Sequence, residues 1–211
     1  MPVDLLIRFS MGLKKFIEAA GKAGSVFILP LVLVTMWDIL VRKIGGLQYW
    51  LIQNVGSAFG STIIQELEWH FHTVLFVLVL GYAYVNNRHI RVDLIRERLS
   101  FRKQAWIEFL GCSLFLIPYL AVVIYFAFDF AYESFQIGEI SASQVGLPRR
   151  WIIKSVFTMG LIFAFLSGIA VWLQTVLVLF GPKELRFHLM TLDWPEEQAA
   201  RKGRRREAAG V

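Results

Sequence analysis

Apolar residues run almost unbroken through four stretches of this chain, and polar residues gather between them. Ala23 to Val41 carries one charge, Asp38, near its end. Trp69 to Asn86 holds no Asp, Glu, Lys or Arg, only His70 and His72. Phe109 to Phe128 has no charge in 20 residues, and Ser155 to Phe180 has none in 26. About 20 apolar residues at 1.5 Å each cross a hydrocarbon core of about 30 Å. Backbone polar groups must pair within such a segment, so it folds as a helix. The pattern predicts an all-α membrane protein with four transmembrane helices, over about 23–43, 66–87, 105–131 and 149–180. Pro30 and Pro118 predict kinks in the first and third helices. Pro148 is placed to start the fourth, where its missing N–H costs nothing. The first span is too long for a cleaved signal, and no small-residue cleavage site follows it.

Before the first span the period changes. Leu5, Leu6, Phe9, Leu13, Phe16 and Ile17 fall on one helical face, and Arg8, Lys14 and Lys15 fall on others. This predicts an amphipathic helix over residues 1–21, either lying among lipid headgroups or packed on a partner. The membrane domain then covers 22–182, and a partly disordered tail covers 183–211. The loop after the first span is amphipathic, with Leu47, Trp50, Leu51, Val55 and Phe59 suited to a membrane surface and Gly45-Gly46 to a sharp turn.

Composition sharpens the picture. Of 211 residues, 56% are hydrophobic and 18% charged, with 18 Phe and 7 Trp. Soluble domains carry about a quarter charged residues. Cys112 is the single cysteine, which excludes an internal disulfide and suggests no metal cluster. The net charge of +6 is unevenly placed. Seventeen Lys and Arg lie before the first span, between the second and third, and after the fourth; five lie at the edges of the other two loops. Positive charge concentrates on the cytoplasmic side. Both termini and the loop "NNRHIRVDLIRERLS" are therefore expected in the cytoplasm. That loop is short and abuts a span, so its arginines suit lipid phosphates and a partner's carboxylates rather than nucleic acid. The basic run at 201–206 reads as a solvated end.

Several residues are candidates for chemistry or pairing. Asp38 and Arg42 are four apart and can pair along one helix face. An unpaired charge at mid-membrane costs roughly 2.5–3.5 kcal/mol on insertion scales, so pairing is expected. Glu66 is the acid across the loop, and an Arg42–Glu66 bridge between the first two helices is expected. His70 and His72 raise the possibility of a haem-bearing anchor of an oxidoreductase. Two residues apart, they point about 200° around a helix and do not serve one iron from one face. A ligand from a partner would be needed; interfacial histidines beside Trp69 are the simpler reading. No cofactor or metal is expected. Gly160, Ala164 and Gly168 form a small-residue ridge for close helix contact, inside this chain or with a partner. Glu139, Arg149 and Arg150 lie in the second outer loop. They either dock a soluble partner by charge or hold lipid phosphates at the start of the fourth helix. A self-sufficient channel or transporter fits poorly, because there are no repeated halves and no paired broken helices.

An ordered set of motifs completes the reading. Arg42 closes the first span, Glu66-Leu67 opens the second, Gly81 falls late in it, and His89-Ile90-Arg91-Val92-Asp93 follows. In this order the chain resembles the small membrane subunits of TRAP (tripartite ATP-independent periplasmic) transporters, over about residues 25–180. The stretch "GEISASQVGLPRRWIIK" resembles the longer-loop, mannitol/chloroaromatic-type branch. The long first outer loop and basic tail depart from shorter members. The resemblance implies a bacterial inner-membrane protein without catalytic activity. It pairs with a large membrane subunit that carries solute and sodium, and a periplasmic binding protein delivers an organic acid or related solute. The large subunit moves cargo by an elevator motion, and the small one enlarges the fixed scaffold. On the same ground His89, Arg91 and Asp93 are expected to form a cytoplasmic latch, with Asp93 bonding Arg91 or a neighbour. Ordinary charged residues at the interface are the alternative.

Overall fold

The computed structural model describes residues 2–88, 99–143, 145–182, 184–198 and 200. The described residues form helices and loops with no strand. Seven α-helices follow in order: α1 (Pro2–Ser25), α2 (Ile28–Lys43), α3 (Leu47–Asn54), α4 (Ser61–Val85), α5 (Phe101–Gly111), α6 (Ile117–Gln136) and α7 (Trp151–Phe180). A 3-10 turn, Ser57–Phe59, leads into α4, and a π-helical segment, Cys112–Leu116, joins α5 to α6. Among the described residues four helical stretches are long and apolar enough to cross a membrane, as the pattern predicts.

Pro30 and Pro118 act where expected. Pro30 has no N–H to donate to the Val26 carbonyl in the helical ladder. The chain there shifts to tighter bonds, with Phe27 N–H donating to Gly24 O at 3.1 Å and Leu29 N–H to Val26 O at 3.1 Å. Residues 26 and 27 become a turn between α1 and α2. The first span therefore begins inside α1, since the 16 residues of α2 reach only about 24 Å. Before Pro118 the helix widens instead: Ile117 N–H donates to Cys112 O, the i to i−5 bond of a π turn. Pro148 does not start α7. Arg149 adopts a left-handed φ of 60°, and the helix begins at Trp151. Gly46, at φ 82°, makes the turn from α2 into α3.

The bundle is a row. α2 packs on α4, α4 on α7, and α7 on α6, while α1 lies across α4 and α7. Lipid tails are as apolar as leucine, so such helices associate by close packing. Small residues make it possible. A Cβ on Gly81 would sit 3.0 Å from the Phe163 carbonyl and 3.2 Å from Ile17 Cγ2, so α1, α4 and α7 meet there. Gly21 and Gly24 of α1 close on Tyr82 and Leu78 of α4. The ridge of α7 faces this chain's own helices. Gly160 lies on Val77, Ala164 packs with Leu120, and Gly168 lies on Leu116. The N-terminal helix is thus seated on the bundle through Ser10, Lys14 and Ile17, while Leu5, Phe9 and Phe16 face outward.

Part of the expected tail is also packed. Buried Gln174 of α7 donates to His188 O at 3.2 Å and accepts from Met190 N–H at 2.9 Å. Leu189 and Leu192 pack on Ala105 with Phe101 and Trp194 around them. These contacts hold residues 184–198 against α5 and α7.

Gly160→Ala drives a methyl to within 2.6 Å of Val77 Cγ2. It should lower the melting stability of the purified protein by roughly 1–3 kcal/mol. Gly12, whose added methyl meets nothing within 4 Å, is the control; Gly12→Ala should be neutral or stabilise by up to about 1 kcal/mol.

Candidate functional site

Glu66 lies in the second turn of α4 and is buried, with 7% of its surface exposed. A carboxylate at that depth needs donors. Three come from beyond α4. The Ser141 hydroxyl donates to Oε1, the Leu147 N–H to Oε2 at 2.5 Å, and the Arg150 guanidinium lies 3.5 Å from Oε1. Gly146 is required beside them, since a Cβ there would fall 2.7 Å from Glu66 Oε1. The Arg150 guanidinium also lies 5.7 Å from the Trp69 ring centre. One carboxylate thus staples the loop between α6 and α7 to the head of α4.

The loop has its own supports. Ser141 N–H donates to Leu147 O at 3.3 Å, and Arg150 N–H to Glu139 O at 3.1 Å. Glu139 pairs with Lys154, whose ammonium sits 3.5 Å from the Phe130 ring centre. Below them the buried Thr158 hydroxyl donates to Ala127 O at 3.1 Å and ties α7 to α6.

The expected Arg42–Glu66 bridge is not the arrangement found. Arg42 pairs with Asp38 one turn back, and Gln65 stands beside it. Glu66 points about 100° around α4 from Gln65, toward the α6–α7 loop. Glu139 and Arg150, expected at a docking surface, are engaged inside the loop; Arg149 is exposed. His70 Nδ1 lies 2.5 Å from the Glu66 carbonyl, and His72 is exposed. Among the described residues no three His, Cys, Asp or Glu side chains gather to hold a metal. His89, Arg91 and Asp93 lie outside the described residues.

Sequence reasoning missed the partners of Glu66. Ser141 and Leu147 are 75 and 81 residues away, and no local spacing marks them. Gly146 was the available signal: a glycine in a loop between two apolar helices marks a close approach.

The pattern of one family, "Tripartite ATP-independent periplasmic transporters, DctQ component", matches residues 31–177. The chain belongs to this DctQ family. The match runs from early α2 to the last turn of α7 and takes in Asp38, Arg42, Glu66, Gly81, Glu139 and Arg150. All of α1 and the packed segment 184–198 lie outside it. No curated protein and no solved structure matches the chain significantly. DctQ proteins are small transporter subunits rather than an enzyme family, so this is a transport protein with membrane-spanning helices. The haem-anchor reading gives way to it.

Glu66→Gln removes the charge that three donors share. The loop should loosen, and trypsin should cut at exposed Arg149 at least several-fold faster, while Arg42→Ala leaves the rate unchanged. Equal rates in all three proteins contradict the staple. A second test uses pH. The Lys154 ammonium, donating to Glu139, holds that carboxyl below its ordinary 4.5. A depressed carboxyl stabilises the fold above its unfolded value and loses that effect as pH falls through its folded value. Amide exchange in residues 138–143 should therefore differ between wild type and Glu139→Gln by a constant amount above about pH 5. The difference should shrink below pH 4.5.

Proposed function

We propose that this DctQ protein is the non-catalytic scaffold subunit of a tripartite transporter in a bacterial inner membrane. It pairs with a large membrane subunit and serves ion-coupled uptake of an organic acid or related solute delivered by a periplasmic binding protein. The observation that carries the scaffold reading is the state of Glu66. Its buried carboxylate is engaged by three donors of its own chain, which supports a structural role rather than one in holding a solute or coupling ion.

The uneven Lys and Arg distribution supports cytoplasmic termini, with residues 22–182 as the membrane domain and the Glu66 end facing the periplasm. On that orientation the stapled loop is presented to the binding protein. Arg149 is exposed on it for encounter, and Glu139 and Arg150 fix the loop's shape. "GEISASQVGLPRRWIIK" supports the mannitol/chloroaromatic-type branch. His89, Arg91 and Asp93 are assigned to a cytoplasmic latch on the family pattern. Cofactors have no part in this reading.

Affinity purification of the tagged chain from its native membrane tests the proposal. A long polytopic subunit should co-elute, and uptake in proteoliposomes should need both. A large subunit that transports alone at the full rate contradicts it.

A further inference from the structure

The outward faces of the bundle are not alike. α2 exposes only apolar side chains over most of its length; Leu33, for example, is 68% exposed. Lipid tails satisfy such a face. α6 and the π segment before it are different. Phe115, Tyr119, Val122, Phe126, Asp129 and Glu133 follow at intervals of four, three, four, three and four residues. This is the spacing of a seam that meets another helix knobs-into-holes. All six are exposed: Phe115 is 73% exposed, Tyr119 67% and Phe126 63%.

Two features of the seam do not suit lipid. Tyr119 stands at the middle of the charge-free run 109–128, and its hydroxyl makes no hydrogen bond among the described residues. A hydroxyl left unpaired in hydrocarbon is costly, because nothing there can replace its hydrogen bonds to water. Tyrosine facing lipid belongs at the interfaces, where its hydroxyl meets water. At the seam's outer end Asp129 and Glu133 share the face, and neither has an ion-pair partner among the described residues. The face asks for a helix with a hydrogen-bond acceptor at mid-depth and a lysine or arginine at the Glu66 end.

We propose that this seam of α6 is the docking face for a transmembrane helix of the large membrane subunit. The inference rests on the proposed function for the partner's identity, and on the seam's chemistry for its place. α1 and α2 then face lipid, and the row of helices extends through α6 into the partner.

The test uses the full complex in its native membrane. Tyr119→Phe removes one oxygen. It should reduce the large subunit recovered with the tagged chain by roughly two- to tenfold, the worth of one hydrogen bond. The chain's own yield and melting temperature should not fall. In lipid the same change removes an unpaired hydroxyl, so unchanged recovery overturns the proposal. Asp129→Lys with Glu133→Lys should reduce recovery by about tenfold or more. A photo-crosslinking residue at Phe126 should capture the large subunit, and one at Leu33 should capture lipid. If wild-type chain recovers the large subunit but crosslinks run through Leu33 and not Phe126, the seam is wrong and the function stands. Crosslinks from Phe126 only to lipid, or to a second copy of this chain, also overturn it. If wild-type chain recovers no large subunit, the proposed function fails, and the seam loses its assigned occupant with it.

Discussion

A carboxylate carried into the end of a membrane span must find donors, and Glu66 finds them in the far half of its own chain. That constraint organises the Glu66 end of the molecule. Ser141, the Leu147 backbone and Arg150 are drawn to one point, so the α6–α7 loop closes over the head of α4. Gly146 is small because the loop must come this close. Breaking a buried pair by removing one member costs about 3–5 kcal/mol, far more than an exposed ion pair is worth. The staple is therefore a strong determinant of loop shape, whereas the Asp38–Arg42 pair, with Arg42 exposed, is a weak one.

Elsewhere the same economy holds by different means. At mid-depth the helices carry few polar groups and meet through glycine: Gly81 on the Phe163 carbonyl, Gly160 on Val77, Gly168 on Leu116. At the opposite end the Gln174 amide holds the backbone of His188 and Met190. The buried polar side chains of the bundle thus serve mainly to fix helices and loops. A DctQ chain of this construction fits the proposed scaffold role, and the polar groups it leaves outward on α6 belong to the proposed docking face.

The spans were legible because hydropathy over twenty residues is a collective signal that one substitution does not erase. Their ends were less so. α4 starts at Ser61 rather than near 66 because Gly60 ends the preceding 3-10 turn and the polar first turn still closes helical bonds. Pro30 and Pro118 marked real irregularities, but whether a turn tightens or widens depends on packing that no local pattern encodes. The Arg42–Glu66 bridge failed for a related reason. Helix spacing names residues that share a face, and Arg42 already had Asp38 on its own. Segment 184–198 was read by its basic surroundings, although Phe187, Leu189, Leu192 and Trp194 signal a packed strap. The latch residues are argued from the family pattern alone.

The central claim is that this chain shapes a transporter and carries neither solute nor coupling ion. The charge moved per solute by the reconstituted complex, compared between wild type and Glu66→Gln, tests it most directly. The account predicts that uptake falls in step with the amount of complex assembled and that the charge-to-solute ratio is unchanged. A shifted ratio in a complex that assembles at the normal level would contradict it, because Glu66 would then be part of the ion path.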